Sequence, residues 1–572
     1  MFIALFTALV ASCAAWLLGK QIMHWRRQAP LYNIPGPPSV SLLTGNLGQA
    51  FDLHGWKFHA NIVAQYGKVV RLNGLLRDSL LYISDTKALQ SILSKDQHVF
   101  EPSPIFIEVN KLLFGEGLIS TIGDHHRRQR KLLNPLFSTT HMRHMMPIFV
   151  RVAHQFREVL VEMAREGEGQ VEIDFFAWMS RAALEIVGQA GLGHPFDSLN
   201  TEVEDEYGKS ISNLSLTMGR PGMVIGAQLL PWLIKIDSPN FRRFLVKHLP
   251  WRSMEKLSEI VDIMDNTARR VLESKKAALD MGDEVVLQQV GEGKDILSTL
   301  LRANMSCSAE DRLPDSEIVA QISVMIVGAV ESTSSALSRI LLLLAEHQDI
   351  QRKLRLELTT AISTGDLDFD ALHTLPYLDA VIKETLRLYP PGPYVGRMQV
   401  MSLEGDATEV TSIPCSSRSD YTVPLGTPII GIDGQKLSEI FIPNNTDIVV
   451  SIVGVNQDPD IWGLDAAEWQ PERWLSPLSP NVAEARIPGV YANIMTFVGG
   501  IHACIGFKFA EQEISSQHLA EVFLSILLPS FHVSLSNERI SWTMKAFSAP
   551  IVEGESQPTM PLVLSLLSND DV

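Results

Sequence analysis

Apolar side chains recur every three to four positions over Met142–Arg165, Glu255–Ala278, Asp315–Glu346, Gln348–Ile362 and Tyr377–Leu388. That is the period of helices burying one face. Between Val69 and Ile83, short apolar runs are broken at Asn73-Gly74 and Arg77-Asp78, which predicts a small antiparallel sheet. Residues Met401 to Ile442 are rich in Ser, Thr, Pro and Gly and predict short strands joined by loops. Pro529–Ser536 and Pro561–Leu567 predict a second β patch. No internal repeat and no clean interdomain linker interrupts the 572 residues. The pattern predicts a mainly α fold with minor β sheets, in one domain. Met223–Leu233, MVIGAQLLPWL, is apolar all round and is read either as core or as a segment dipping into lipid or lining a channel.

The N-terminus departs from this amphipathic pattern. Met1 to Leu18 carries no charge; as a helix it is about 27 Å long, matching the core of the endoplasmic reticulum bilayer. Lys20, Arg26 and Arg27 follow it. Positive charge after the apolar run, rather than before it, favours an uncleaved anchor over a signal peptide and puts the remainder of the chain in the cytoplasm. Pro35-Gly-Pro-Pro38 then forms a stiff spacer. The expected organisation is a transmembrane anchor at 1–19, a basic and proline-rich hinge at 20–40 and a catalytic domain at 41–572, single-pass in the endoplasmic reticulum.

A net charge of −17 argues against a nucleic-acid partner. The four cysteines, Cys13, Cys307, Cys415 and Cys504, lie far apart and form no zinc spacing, which suits a reducing compartment. One of them is placed unusually. Cys504 lies in TFVGGIHACIGFKFAEQE, with Gly499, Gly500 and Gly506 around it and helical periodicity from Ile505 to Gln517. A helix N-terminus stabilises a thiolate, and glycines permit sharp turning and close approach. The sulfur is therefore a candidate nucleophile, with His502 as its base, or a candidate metal ligand.

Phe497, Gly500, His502, Cys504 and Gly506 together resemble the haem-binding signature FxxGx[RH]xCxG of the cytochrome P450 superfamily, of the membrane-anchored microsomal type. The resemblance implies Cys504 as the ligand to the iron of haem b, iron protoporphyrin IX, with thiolate sulfur favouring O–O cleavage. Further matches follow in the family's order. Glu384-Thr-Leu-Arg387, followed by Pro390-Pro391, resembles ExxR, and the Arg473 segment resembles PERF. The family pattern implies a bracing network of Glu384, Arg387 and Arg473. Gly328-Ala-Val-Glu331-Ser332-Thr333 resembles the oxygen-binding motif [AG]Gx[DE]T[ST], with Ala329 and Ser332 as departures. It implies Glu331 with Ser332, or Thr333, as a proton relay. His126 and Arg130 resemble WxxxR, with His126 in the tryptophan place, and with Arg397 and His502 they are implied partners of the haem propionates. Arg127, Arg128 and Lys131 form either a solvated basic face or a docking face for an acidic electron-transfer protein.

The fold the resemblance implies is the P450 fold. The activity it implies is a monooxygenase that takes electrons from NADPH through NADPH–cytochrome P450 reductase, with cytochrome b5 as a second candidate donor. The expected substrate is a lipophilic small molecule, a terpenoid or other secondary metabolite as in similar fungal members. Expected pocket residues, each equally readable as core, are Phe106, Leu118, Met325, Val330, Val395 and Phe547. A fatty-acid or sterol hydroxylase, and a haem-thiolate isomerase or dehydratase, are the alternatives; the acid–alcohol pair at 331–332 argues against the isomerase. A haem-free lipid-binding protein would lack the thiolate spectrum, and a cysteine hydrolase would lack an orienting Asp or Asn.

Overall fold

Helix α9, Asp315–Glu346, forms where the periodic pattern predicts it, with the same bounds. Pro314 precedes it, and Asp315 and Glu317 in its first turn complement the helix dipole. The computed structural model describes residues 19–567, apart from 20, 21, 24, 202–205, 219, 221, 222, 224, 225, 227–229, 231–251, 283–289, 292, 364–368, 373, 400–420, 507–515 and 545. Residues 1–18 of the expected anchor, most of 223–233 and residues 507–515 of the helix expected after Cys504 lie outside the described residues. Among the described residues, the helix long and apolar enough to cross a bilayer is α9, which is largely enclosed by protein.

The other long helices, in chain order, are α1 (Trp56–Tyr66), α2 (Pro104–Phe114), α3 (Gly123–Leu133), α4 (Thr139–Glu166), α5 (Phe175–Ile186), α6 (Glu206–Met218), α7 (Arg252–Met281), α8 (Ile296–Ser306), α10 (Gln348–Ser363), α11 (Pro376–Leu388) and α12 (Ser516–Leu527). Helix α9 packs on α5, α7 and α11, and one continuous apolar core surrounds it.

The strands are subordinate. Strands β1 (Val69–Asn73), β2 (Ser79–Ile83), β3 (Phe100–Glu101), β5 (Tyr394–Gln399) and β8 (Asp447–Ser451) make one sheet in the order β1-β2-β8-β5-β3. The β2–β8 pair is parallel; the other pairs are antiparallel. This sheet joins the segment between α1 and α2 to the segments after α11. Strands β6 (Tyr421–Ile430) and β7 (Lys436–Ile442) form a hairpin. Strand β4 (Gln170–Asp174) pairs with β12 (Pro561–Leu566), which pairs with β9 (Phe531–Leu535). Asp174 joins this sheet to α5: one carboxylate oxygen caps the helix at Ala177 N and accepts from Met560 N. Strands β10 (Ile540–Thr543) and β11 (Ala549–Val552) form a further hairpin.

Candidate haem-thiolate site

The loop before Cys504 is wound so tightly that only glycine fits at two positions. A Cβ at Gly500, where φ is +82°, would lie 1.8 Å from Leu93 O. One at Gly499 would lie 2.3 Å from Pro488 O. These glycines therefore serve the loop's packing against its own protein backbone, a different reason from the close approach to a ligand expected from sequence. Gly506 is the one beside the sulfur, its Cβ position 3.5 Å from Cys504 Sγ. The Cys504 N–H donates to Phe497 O at 3.0 Å, and Ala503 N–H to Gly500 O at 3.1 Å. Cys504 itself is exposed. Phe497 stands edge-on to Tyr491, ring centroids 5.6 Å apart.

Behind the loop, Glu384, Arg387 and Arg473 come together. Glu384 and Arg387 are fully buried and paired through two bonds of 2.8 Å. Glu384 also accepts from Arg473 Nε at 3.3 Å, Gln470 N at 3.1 Å and Trp474 Nε1 at 2.9 Å. Burial opposes the charge of Arg473, but Asp465 and Glu384 outweigh it and hold the guanidinium pKa up. A buried ion pair is tolerable only when its remaining donors and acceptors are filled. Here Arg387 Nη1 donates to Ala466 O and Asn456 O, both at 2.7 Å. Asn456 carries the brace onward. Its Oδ1 accepts from Met495 N at 2.7 Å, its Nδ2 donates to Thr496 Oγ1 at 3.0 Å, and Thr496 Oγ1 donates to Leu386 O at 2.7 Å. Neither Asn456 nor Thr496 was marked by a sequence pattern.

On the other side of the loop the charges are cationic. Arg130 of α3 donates to Ala503 O at 2.7 Å. His126, one turn earlier and buried, lies against His502 with ring centroids 4.2 Å apart. Burial, then the charges of His502, Arg130, Arg127 and Arg397, push the His126 pKa down to about 3. Burial likewise lowers Arg397 to about 10, with Glu101 acting in the opposite sense. Arg397 Nη1 donates to Gly396 O at 2.8 Å. Glu101 was not anticipated; it accepts from His502 Nε2 at 2.9 Å. Two arginines and two histidines around one carboxylate leave a surplus of donors and positive charge. That surplus suits an anionic guest carrying more than one carboxylate.

Helix α9 carries the remaining expected residues. Within a buried helix, Val324, Met325, Gly328, Ala329, Ser332, Thr333 and Ala336 are only half-buried and form one stripe. A Cβ built on Gly328 meets nothing within 4 Å, so open space adjoins the stripe. Ser332 Oγ donates back to Gly328 O at 2.5 Å. That leaves the oxygen lone pairs to accept, and is the local bond helical serines favour. Glu331 is buried, and its Oε2 accepts from Ser215 Oγ of α6 at 2.8 Å. Met325 lies in the stripe. Val330, expected in the pocket, is 2% exposed and sits about 160° around the helix from Ser332, on the packed side. Leu118 is buried, with its N–H donating to Gln321 Oε1 of α9 at 3.1 Å. Val395 and Phe547 are half-buried, and Phe106 is exposed.

The family model described as Cytochrome P450 matches residues 35–405 and 420–555. Cytochrome P450 monooxygenase 91 of Postia placenta is 43% identical, with 97% of each chain covered. Ganoderic acid synthetase CYP5150L8 of Ganoderma lucidum is 36% identical, and cytochrome P450 monooxyhenase eriI of Hericium erinaceus 34%, each again over 97% of both chains.

Proposed function

This chain belongs to the cytochrome P450 family and is a monooxygenase of it, and we propose that it inserts one oxygen atom of O2 into a lipophilic small molecule, a terpenoid or other secondary metabolite. The observation that carries the substrate class is the half-buried stripe of α9: five apolar residues and two hydroxyls, with open space beside Gly328. A relative whose printed name includes ganoderic acid, 36% identical, supports a product of secondary metabolism.

The family implies haem, and the residues present fit it. Cys504 would hold the iron through its sulfur, and Arg130, Arg397, His126 and His502 would hold the propionates. When bound, haem supplies the redox and oxygen-activating chemistry. The chain does the rest. The network from Glu384 through Arg387 and Asn456 to Met495 fixes the loop that carries the sulfur. Glu331 holds a proton-accepting carboxylate one residue from the Ser332 hydroxyl, and the two pass protons toward the stripe. Ser332, bonded to Gly328 O, presents its oxygen as an acceptor at a set position. The apolar residues of the stripe exclude bulk water from the reacting carbon.

Electrons are drawn from NADPH through NADPH–cytochrome P450 reductase, with cytochrome b5 as the second candidate. The exposed Arg127, Arg128 and Lys131 lie on α3, the helix whose Arg130 grips Ala503, and favour an acidic partner there. An N-terminal anchor would hold the enzyme on the cytosolic face of the endoplasmic reticulum.

Expression with the reductase and a panel of terpenoids, sterols and fatty acids tests the reading. The expected result is a haem spin-state shift with at least one compound and a product bearing one added oxygen. No shift and no product from the terpenoids and sterols would refute the substrate class. Cys504→Ala is expected to abolish the thiolate-type carbon monoxide band. Ser332→Ala is expected to keep that band and form less product per NADPH consumed. Unchanged coupling in Ser332→Ala would remove the relay role.

A further inference from the structure

Arg339 of α9 is a cation without a carboxylate in hydrogen-bonding reach among the described residues. Its guanidinium is clamped between two rings, 3.6 Å from the centroid of Trp542 and 4.2 Å from that of Tyr389. The rings offset part of the cost of taking the charge out of water, but they accept no hydrogen bond of ordinary strength. Arg339 Nε is buried without a partner, and so are Trp542 Nε1 and Ser548 Oγ. Trp542 is 8% and Ser548 4% exposed. All three residues, with Trp56, Ser335, Tyr389 and Pro390, line one narrow gap. The nearby carbonyl Trp542 O is already taken by Trp56 Nε1 at 2.8 Å. The gap is too small for a water molecule as it stands, so its donors are dry. Burial pushes the Arg339 pKa down to about 9, with Tyr389 and Glu346 acting in the opposite sense, and the group stays charged at neutral pH.

Buried unpartnered donors are rare because each is expensive. Three around one gap, one of them charged, describe a receptor for an anion. Its place in the fold says which anion. Arg339 is seven residues from Ser332 on α9, about 10 Å along the axis and about 20° around it, and so on the face of the open stripe. Ser548 follows Phe547, and its N–H donates to Pro391 O at 2.7 Å, tying the turn between β10 and β11 to the segment that enters β5.

We propose that Arg339, Trp542 Nε1 and Ser548 Oγ form an anchoring subsite for a carboxylate of the substrate, with the oxidised carbon about 10 Å away. The substrate is thus a lipophilic acid, and the Trp542 ring shifts to admit its head group. This rests on the α9 stripe being the wall of the substrate pocket.

Equilibrium binding to the full-length haem-loaded protein tests it, with four acid and methyl ester pairs: dodecanoic and hexadecanoic acids, a resin diterpene acid and a triterpene acid. Calorimetry and quenching of tryptophan fluorescence are the readouts, both independent of turnover. At least one acid is expected to bind about tenfold more tightly than its ester. Arg339→Met is expected to bring that ratio to about one while leaving ester affinity within about twofold. Trp542→Phe keeps a ring over the arginine and removes one donor; it is expected to reduce the ratio by about threefold or more. It carries the same test if Arg339→Met loses its haem band through misfolding. No acid preferred over its ester, or equal ratios in wild type and both variants, overturns the subsite. In that case an intact haem band and turnover of a neutral substrate leave the monooxygenase reading standing.

Discussion

Asn456 holds the cysteine loop from a position no motif marks. Its amide fills both the Met495 N–H and the Thr496 hydroxyl, and its backbone carbonyl receives Arg387. Asn456→Ala leaves a buried amide N–H of Met495 without an acceptor. The expected cost is about 2–4 kcal/mol, from two lost bonds and one orphaned donor. Denaturant unfolding of the haem-loaded protein measures it, together with the fraction of protein retaining haem. A midpoint equal to wild type would mean that the loop does not depend on this brace. The ion pair behind it was legible because Glu384 and Arg387 are i, i+3 on one helix and recur with a motif. Asn456 was not, because a lone asparagine at the end of a five-residue helix has no period and no spacing. The same holds for Arg339, Trp542 and Ser548, which are separated in sequence and meet through the β10–β11 hairpin.

At the scale of elements, α9 shows both what periodicity gives and what it withholds. Its bounds follow from sustained apolar spacing and the charged ends. Which face is open does not, because apolar residues occur on every face: Met325 and Val330 are equally plausible pocket residues by composition, yet Met325 lies in the stripe and Val330 in the packed core. The predicted bounds at Met142–Arg165, Glu255–Ala278, Gln348–Ile362 and Tyr377–Leu388 fall within a few residues of α4, α7, α10 and α11. The β10–β11 hairpin was not anticipated, since its strands are four residues each. The open face supports a stability prediction. Gly328 is in the middle of α9 and a Cβ there meets nothing within 4 Å. Gly328→Ala is therefore expected to stabilise the helix by about 0.5–1 kcal/mol, raising the apparent melting temperature by about half a degree to one degree. Thermal unfolding by circular dichroism checks it. A lower melting temperature would mean that the space beside Gly328 is filled.

Across the whole molecule, the sheet β1-β2-β8-β5-β3 joins segments hundreds of residues apart, and its centre carries an acid. Asp447 opens β8 between Leu80 of β2 and Met398 of β5. Burial, then the charge of Asp78, raises its pKa from 3.8 to about 7. No cation pairs with it among the described residues. The unfolded chain releases this proton near the ordinary carboxylate value, whereas the folded chain keeps it to about 7. Between those values the folded state binds more protons, so this group's contribution to stability falls as pH rises. The fall is at most about 1.4 kcal/mol per pH unit and no more than about 4 kcal/mol in all. Asp447→Asn removes the titration while keeping size and polarity. Denaturant midpoints measured from pH 5 to 8 should therefore diverge, the variant gaining on wild type up to about pH 7 and holding a constant lead above it. Parallel midpoints over that range would show that Asp447 is ionised in the folded sheet, and that water or a movement of β2 against β8 relieves the burial.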